Sequence, residues 1–362
     1  MVRLALVKKS KLKLIMTSNI TFITLTLFSM YSGIAQNSFQ EIFNNNTKPL
    51  KENIRLDIND ELRNQGHLPI SIVKGKTDGP VFTIVAGVHG FEYPPIVATQ
   101  ELMREINTEE LSGTIIFIPI ANTASFFTRT PFINPQDKKN LNGTFPGDST
   151  GTITQRLAHI ITENIIPVSD VFLDIHGGDA NEDLVPFVCY YDNKNRPEQT
   201  QRAKELSETS GFEYVISYPY TITDDEPAKY VFKQAVQDGK TALSIESGKL
   251  GNVQKEAVSL IKTGVYNMLA AMKMYAKATG PNPDFIELNH QVYIKSNEKG
   301  IFYSTYKAGD SIKKDDLVGY TTDEFGSIIA EYKAPESGII LYKLATPPIN
   351  VGDTVMCIGS SL

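Results

Sequence analysis

Residues Pro80 to Gly90 read Pro-Val-Phe-Thr-Ile-Val-Ala-Gly-Val-His-Gly, a β-prone run that is apolar on both of its faces. A strand with one face in water would alternate apolar and polar residues, so this run fits a strand buried between layers of helix. The carboxyl end of such a strand opens into the ligand crevice of an α/β sheet. Here that end carries His89-Gly90-Phe91-Glu92. Gly87 and Gly90 let the backbone turn sharply around His89, and Pro94-Pro95 opens the amphipathic stretch Ile96 to Ile106 as proline does in a first helical turn.

The rest of the chain alternates in the same way. Leu68 to Lys74, Val81 to Val88, Gly113 to Ile120, Val168 to Ile175 and Thr241 to Glu246 have strand character. Pro95 to Ile106, Thr152 to Ile166, Arg196 to Ser210, Pro227 to Asp238 and Val253 to Tyr275 have helical character. This pattern predicts a mixed, mainly parallel sheet flanked by helices over residues 68–280. Gly280-Pro281-Asn282-Pro283 then punctuates the chain. Beyond it, residues 285–362 carry short strands at close spacing: Val292 to Ser296, Gly300 to Tyr306, Leu317 to Thr321, Ile328 to Lys333, Gly338 to Lys343 and Thr354 to Ile358. They predict a small all-β barrel or sandwich domain. Its Gly-Asp turns resemble a lipoyl or biotinyl carrier barrel, but no Met-Lys-Met-like tripeptide is present to carry a cofactor, so a lid or assembly module is expected.

At the other end, Lys8, Lys9, Lys11 and Lys13 precede the apolar core Ile20 to Met30 and the small-residue site Ser32-Gly33-Ile34-Ala35. Residues 1–35 therefore read as a signal peptide cleaved near Ala35, which makes the protein exported and periplasmic. The core is short for a permanent membrane anchor, and no cysteine stands at the cleavage point. Residues 36–67 are expected to be a polar leader packed on the main domain.

Net charge is −6, with no basic face, so nucleic acid is not an expected partner; a homo-oligomer is left open. Cys189 and Cys357 are too few for a cysteine zinc site and read as apolar packing residues, with a single bond between them left open.

Chemistry concentrates at the strand ends. His89 and Glu92 in one tight loop and His176 at the end of Asp174-Ile175-His176 form the donor set of a catalytic zinc site, with a position open for water. A lone histidine near a glutamate is commonplace; the strand-end context raises this one above that background. Asp174 shares a strand face with His176, which suits it to orient that ligand or to accept a backbone hydrogen bond. Glu246, in Ser244-Ile-Glu-Ser-Gly, falls at the same sheet edge and is the candidate general base; a turn-capping acid is the competing reading. Arg129, in Phe126-Phe-Thr-Arg-Thr-Pro, has aromatic neighbours and could polarise a carbonyl, or be an ordinary surface arginine. His67, His159 and His290 have no partner at ligand spacing. Gly75-Lys76-Thr77 lacks the upstream glycine of a P-loop, and no Gly-x-Ser-x-Gly elbow occurs.

Taken in order, His-Gly-Phe-Glu, Asn122-Thr-Ala-Ser-Phe-Phe-Thr-Arg, Lys139-Asn-Leu-Asn-Gly-Thr-Phe-Pro-Gly, Asp174-Ile-His and Ile245-Glu-Ser-Gly resemble the succinylglutamate desuccinylase/aspartoacylase family, which belongs with the M14-type zinc carboxypeptidases. The resemblance covers the chain from about Leu68 onwards. It implies a carboxypeptidase-like α/β sheet and one zinc per chain held by His89, Glu92 and His176. It further implies Glu246 as general base, Arg129 as carbonyl polariser and Asn142 as a substrate contact, in a deacylase acting on a small N-acylated amine or amino acid. A metallocarboxypeptidase on short peptides and a metal-stabilised binding protein are the alternatives. The family pattern is usually Asn-Leu-Asn-Arg, where the arginine grips a substrate carboxylate; the matching position is Gly143. With the metal ligands and base all present, this departure points to a changed substrate, or to Lys138 or Lys139 as a substitute cation, rather than to a lost reaction.

Overall fold

The computed structural model describes residues 38–277 and 284–361. The expected signal peptide, its cleavage site at Ala35 and the Gly280 to Pro283 boundary lie outside them. Among the described residues no helix is long and apolar enough to cross a membrane.

A nine-stranded sheet runs β1-β2-β4-β3-β5-β9-β7-β8-β10. Its strands are β1 Leu50–Asn59, β2 Gln65–Lys74, β3 Thr77–Ala86, β4 Ser112–Ile118, β5 Val171–His176, β7 Phe187–Asp192, β8 Tyr214–Pro219, β9 Thr241–Glu246 and β10 Ile286–Leu288. The central pairings β4–β3, β3–β5 and β5–β9 are parallel, as are β7–β8 and β8–β10, whereas β1–β2, β2–β4 and β7–β9 are antiparallel. All six residues of β5 are buried, as expected of a strand covered on both faces.

Helices α2 (Tyr93–Glu105), α5 (Pro197–Glu208) and α7 (Lys255–Ala271) contribute to the core on one face, which packs Leu102, Leu206, Ile261 and Leu269 against Phe82, Ile84 and Leu243. The other face is covered by α4 (Ile153–Ile160), which continues into a π-helical turn over Ile161–Ile165, and by α6 (Val231–Gln237). Side chains from the C-terminal strands, Leu341 and Cys357, join this second core. Cys189 and Cys357 are both free and buried, the packing role read from the sequence.

Within the segment read as a leader, residues 50–59 have regular structure. They form the edge strand β1, with Ile54, Leu56 and Ile58 turned inward and Lys51, Arg55 and Asp57 outward. The helical residues 38–44 bring Phe39 into the same core. Two further strands cross the expected domain limits. Ile286–Leu288, placed by sequence in the C-terminal module, completes the main sheet as β10. Conversely, β6 (Glu182–Leu184) leaves the main sheet and pairs with β16 (Gly338–Leu344).

The C-terminal strands form two antiparallel layers around a separate core that includes Phe302, Val318, Ile340 and Val355. One layer holds β6, β11 (His290–Lys295), β13 (Ser311–Ile312), β16 and β18 (Thr354–Ser360); the other holds β12 (Gly300–Tyr303), β14 (Leu317–Thr322), β15 (Ile328–Lys333) and β17 (Pro348–Ile349). This is the sandwich that the close strand spacing predicts.

Candidate metal centre

The ends of β3, β5 and β9 converge on one edge of the sheet. After β3, Gly87 turns the chain at φ +67°, where glycine carries no steric penalty. At Gly90 a side chain would strike the backbone of Phe126, so only glycine permits the close approach of the loop to α3 (Thr123–Thr128). Glu92 then occupies the N-cap of α2, ahead of prolines in the first turn, but makes no capping hydrogen bond. Its carboxylate is committed elsewhere: Oε1 lies 2.6 Å from His89 Nδ1 and Oε2 lies 2.9 Å from His176 Nδ1.

The donor atoms of His89, Glu92 and His176 all lie within 4.8 Å of one another. The Nε2 atoms face outward to acceptors: His89 Nε2 is 3.1 Å from Asn140 Oδ1, and His176 Nε2 is 2.9 Å from Asp174 Oδ2. This is the arrangement a divalent metal needs. Both imidazoles offer Nδ1 inward, while an oxygen on the far nitrogen fixes the tautomer. Two nitrogens and one carboxylate also match the donor chemistry of catalytic zinc.

Electrostatics follow from burial and proximity. Glu92 is 2 % exposed. Burial alone would raise its pKa, yet the two imidazoles outweigh that effect and hold it at about 2. Burial alone would lower both histidines; Glu92 raises His89, and Asp174 with Glu92 raises His176 well above the ordinary value. Glu246, the last residue of β9, is opposite His176 in the β5–β9 register. Withdrawal from water pushes its carboxyl up to about 8, with Glu92, Glu182 and Asp174 adding to the rise against the opposing pull of His176. Glu182 rises to about 7 for the same leading reason, with Glu92 next.

The other residues singled out in the sequence fall around this core. Asp174 is fully buried, and its Oδ1 has no partner among the described residues. Asn142 Nδ2 lies 3.2 Å from His176 Nε2, while its Oδ1 accepts from the Val231 amide at the start of α6. Arg129 is exposed at the C-cap of α3 at φ +54°, and its charge acts on Tyr93 rather than on Glu246. Gly143 is exposed; an added Cβ there would meet only the Asn140 carbonyl, at 3.4 Å, and one Asn140 side-chain atom, at 4.0 Å. Lys138 is exposed and Lys139 half-buried in the same loop. His67 contacts Arg55 and His290 contacts Glu336, away from the three ligands.

Three residues of the site carried no assigned role in the sequence. Asn140 braces His89 from within the Asn-Leu-Asn segment. Asp179, fully buried three residues after His176, accepts the Phe132 amide at 2.9 Å. Phe132 lies edge-on to His89, with ring centroids 5.8 Å apart.

Comparison with known proteins matches this arrangement of loops and strands. The model of the succinylglutamate desuccinylase/aspartoacylase catalytic domain fits residues 78–272, more than half the chain. The chain belongs to the succinylglutamate desuccinylase/aspartoacylase family. It is 29 % identical over 299 residues to N-alpha-acetyl-L-2,4-diaminobutyric acid deacetylase of Halomonas elongata, across 81 % of this chain and 85 % of that relative. Two solved structures share the fold. The product-bound ectoine utilization protein EutE (DoeB) from Ruegeria pomeroyi gives a TM-score of 0.77 at 22 % identity, covering 86 % of this chain and 95 % of that one. The succinylglutamate desuccinylase/aspartoacylase from Rhodobacter sphaeroides gives 0.76 at 22 % identity with the same coverage. The family resemblance and the sheet architecture read from the sequence both stand.

Proposed function

We propose that this family member is a zinc-dependent deacylase that hydrolyses the amide bond of a small N-acylated amine. The observation that carries this reading is the meeting of two imidazole Nδ1 atoms and one carboxylate, with the Glu246 carboxyl at the end of the adjacent strand. His89, Glu92 and His176 would hold one zinc, which when bound supplies Lewis-acid polarisation of water and carbonyl. Glu246 takes the proton released as water adds to the acyl carbon. It then delivers that proton to the nitrogen as the carbon–nitrogen bond breaks, so the products are a carboxylic acid and an amine. Arg129, exposed at the end of α3, is the cation assigned to the carbonyl oxygen.

The roles of Asp174 and Asn142 follow from one tautomer. His176 Nε2 donates to Asp174 or accepts from Asn142, but not both. Use of Nδ1 as a ligand leaves the proton on Nε2, which selects Asp174 and frees the Asn142 amide for substrate. The relative from Halomonas elongata is named for an N-acetylated diamino acid, which supports an acyl-amine substrate here. Gly143 supports one without a carboxylate gripped at that position. Export to the periplasm, based on the Lys8 to Ala35 segment, belongs to the same proposal.

The decisive experiment pairs metal analysis with a panel of N-acyl amines. We expect about one zinc per chain, hydrolysis by wild type, and retention of zinc without hydrolysis in Glu246→Gln. A zinc-free protein, or a variant as fast as wild type, refutes the reading.

A further inference from the structure

We infer that the crevice selects a substrate bearing an aliphatic or aromatic group beside the reacting carbonyl, and that Phe132 is the residue that selects it. The inference deepens the deacylase reading and rests on it. Phe132 sits at φ +58°, the left-handed region in which a bulky side chain crowds its own backbone. Glycine would take this turn without strain, so the turn itself does not call for phenylalanine. Two contacts hold the residue there: its amide donates to Asp179 Oδ2, and its ring stands edge-on to His89. Strain of this kind persists where the surroundings over-determine it, commonly beside ligands. What phenylalanine adds over glycine is a half-buried ring beside a metal-ligand candidate.

A second set of apolar side chains stands on neighbouring segments. Phe91 and Tyr93 flank Glu92 in the chain, with ring centroids 5.2 Å apart; Tyr93 meets Phe126 at 6.0 Å, and Phe126 meets Phe127 at 5.1 Å. Phe127 is 68 % exposed. On the loop that follows Glu246, Leu250 is 42 % and Val253 46 % exposed, and Gly251 between them packs on the Phe91 ring. Scattered exposed apolar residues are ordinary. Phe127 lies near the end of α3, just before Phe132 in the chain, and Leu250 and Val253 stand on the loop that follows Glu246, so the segments that carry Phe132 and Glu246 also expose apolar surface. An aliphatic or aromatic group laid along it leaves water, and each buried methylene should raise kcat/KM about twofold to fourfold.

The group could belong to the acyl or the amine half, and two substrate series distinguish them. One lengthens the acyl chain from acetyl to octanoyl on a fixed amine; the other varies the amine from small to aromatic under a fixed acetyl. Both are run on the zinc-loaded protein, Phe132→Ala and Phe132→Leu, with calorimetric binding of acetate and octanoate alongside. The inference expects kcat/KM to climb along at least one series, to flatten in Phe132→Ala and to recover in Phe132→Leu. A flat or falling profile in both series, or equal losses in Phe132→Ala for short and long substrates, overturns it. If nothing is hydrolysed, the deacylase reading fails. Calorimetry then decides: octanoate binding that weakens about tenfold in Phe132→Ala, against none for acetate, upholds the apolar site, and equal binding removes it.

Discussion

His176 and Glu246 face each other as the final pair of the β5–β9 register, which starts from Val171 and Thr241. Two side chains on neighbouring parallel strands keep a separation set by backbone hydrogen bonds rather than by loop conformation. Rigid strands hold catalytic groups more closely than loops do.

Glu246→Gln therefore separates proton transfer from metal binding. The variant should lose about 10²–10⁴-fold in kcat, the usual worth of a positioned general base, with zinc content and fold unchanged. Steady-state kinetics with metal analysis on the same preparation checks both halves.

Removing a ligand should act in the opposite order. His89→Ala, Glu92→Ala and His176→Ala are each expected to lower zinc content well below one per chain and to abolish hydrolysis. A chelator should do the same to wild type, with recovery on adding zinc. Glu92→Ala also tests helix capping, since its carboxylate makes no cap: α2 should be no less stable for its loss. Metal analysis and thermal melts of the three variants provide the comparison.

Gly143→Arg asks whether the absent side chain matters. The backbone at Gly143 is open, with its nearest added contact at 3.4 Å, so the arginine should fold without a stability penalty. A guanidinium there is expected to raise kcat/KM on acyl amino acids with a free carboxylate by at least about tenfold, the scale of one charge-assisted contact. No change would detach Asn140 to Gly147 from the family motif it resembles.

Much of this could be read from the sequence. Thr241–Glu246 and Ile328–Lys333 form strands with the limits expected of them, because turn residues bracket strongly β-prone runs. His89, Glu92 and His176 come together because β3 and β5, buried strands whose positions the apolar pattern fixes, end side by side at Ala86 and His176. By contrast, β1 was hidden by its own charges: four of its exposed residues are ionic, as suits a sheet edge, and only Ile54, Leu56 and Ile58 betray its period of two. Asn140 and Asp179 act through hydrogen bonds to a ring nitrogen and an amide, contacts for which residue type gives no signal. The importance of Phe132 lies in a backbone angle, which no side-chain pattern encodes.

The edge strand has its own test. Leu56→Ala should cost about 2–5 kcal/mol, since Leu56 is 2 % exposed in the core it shares with Leu68 and Ile70. Denaturant unfolding measures this directly; a loss below about 0.5 kcal/mol would mean that β1 is dispensable.

Acid stability should depend on Glu105. Burial would raise its pKa, but hydrogen bonds from Lys262 and Tyr266, with charge from Lys262 and Lys277, hold it below the ordinary 4.5. A depressed folded-state pKa stabilises the fold fully above the unfolded value, and the effect disappears as pH falls through the folded one. Wild type should thus exceed Glu105→Gln in melting temperature at neutral pH, and the gap should close below about pH 4. A gap that widens on acidification would contradict the assignment.

The three residues of β6 tie the two sheets into one piece of architecture. Glu182 to Leu184 follow His176 by a single loop and complete a layer otherwise made from residues beyond 289. A transplanted C-terminal sandwich would therefore arrive one strand short, and a catalytic segment expressed alone would leave that strand with an unpaired edge a few residues from His176. The sandwich behaves less like a cargo attached to the enzyme than like the second half of a clasp, and its inheritance across relatives should follow that of the loop between His176 and Glu182.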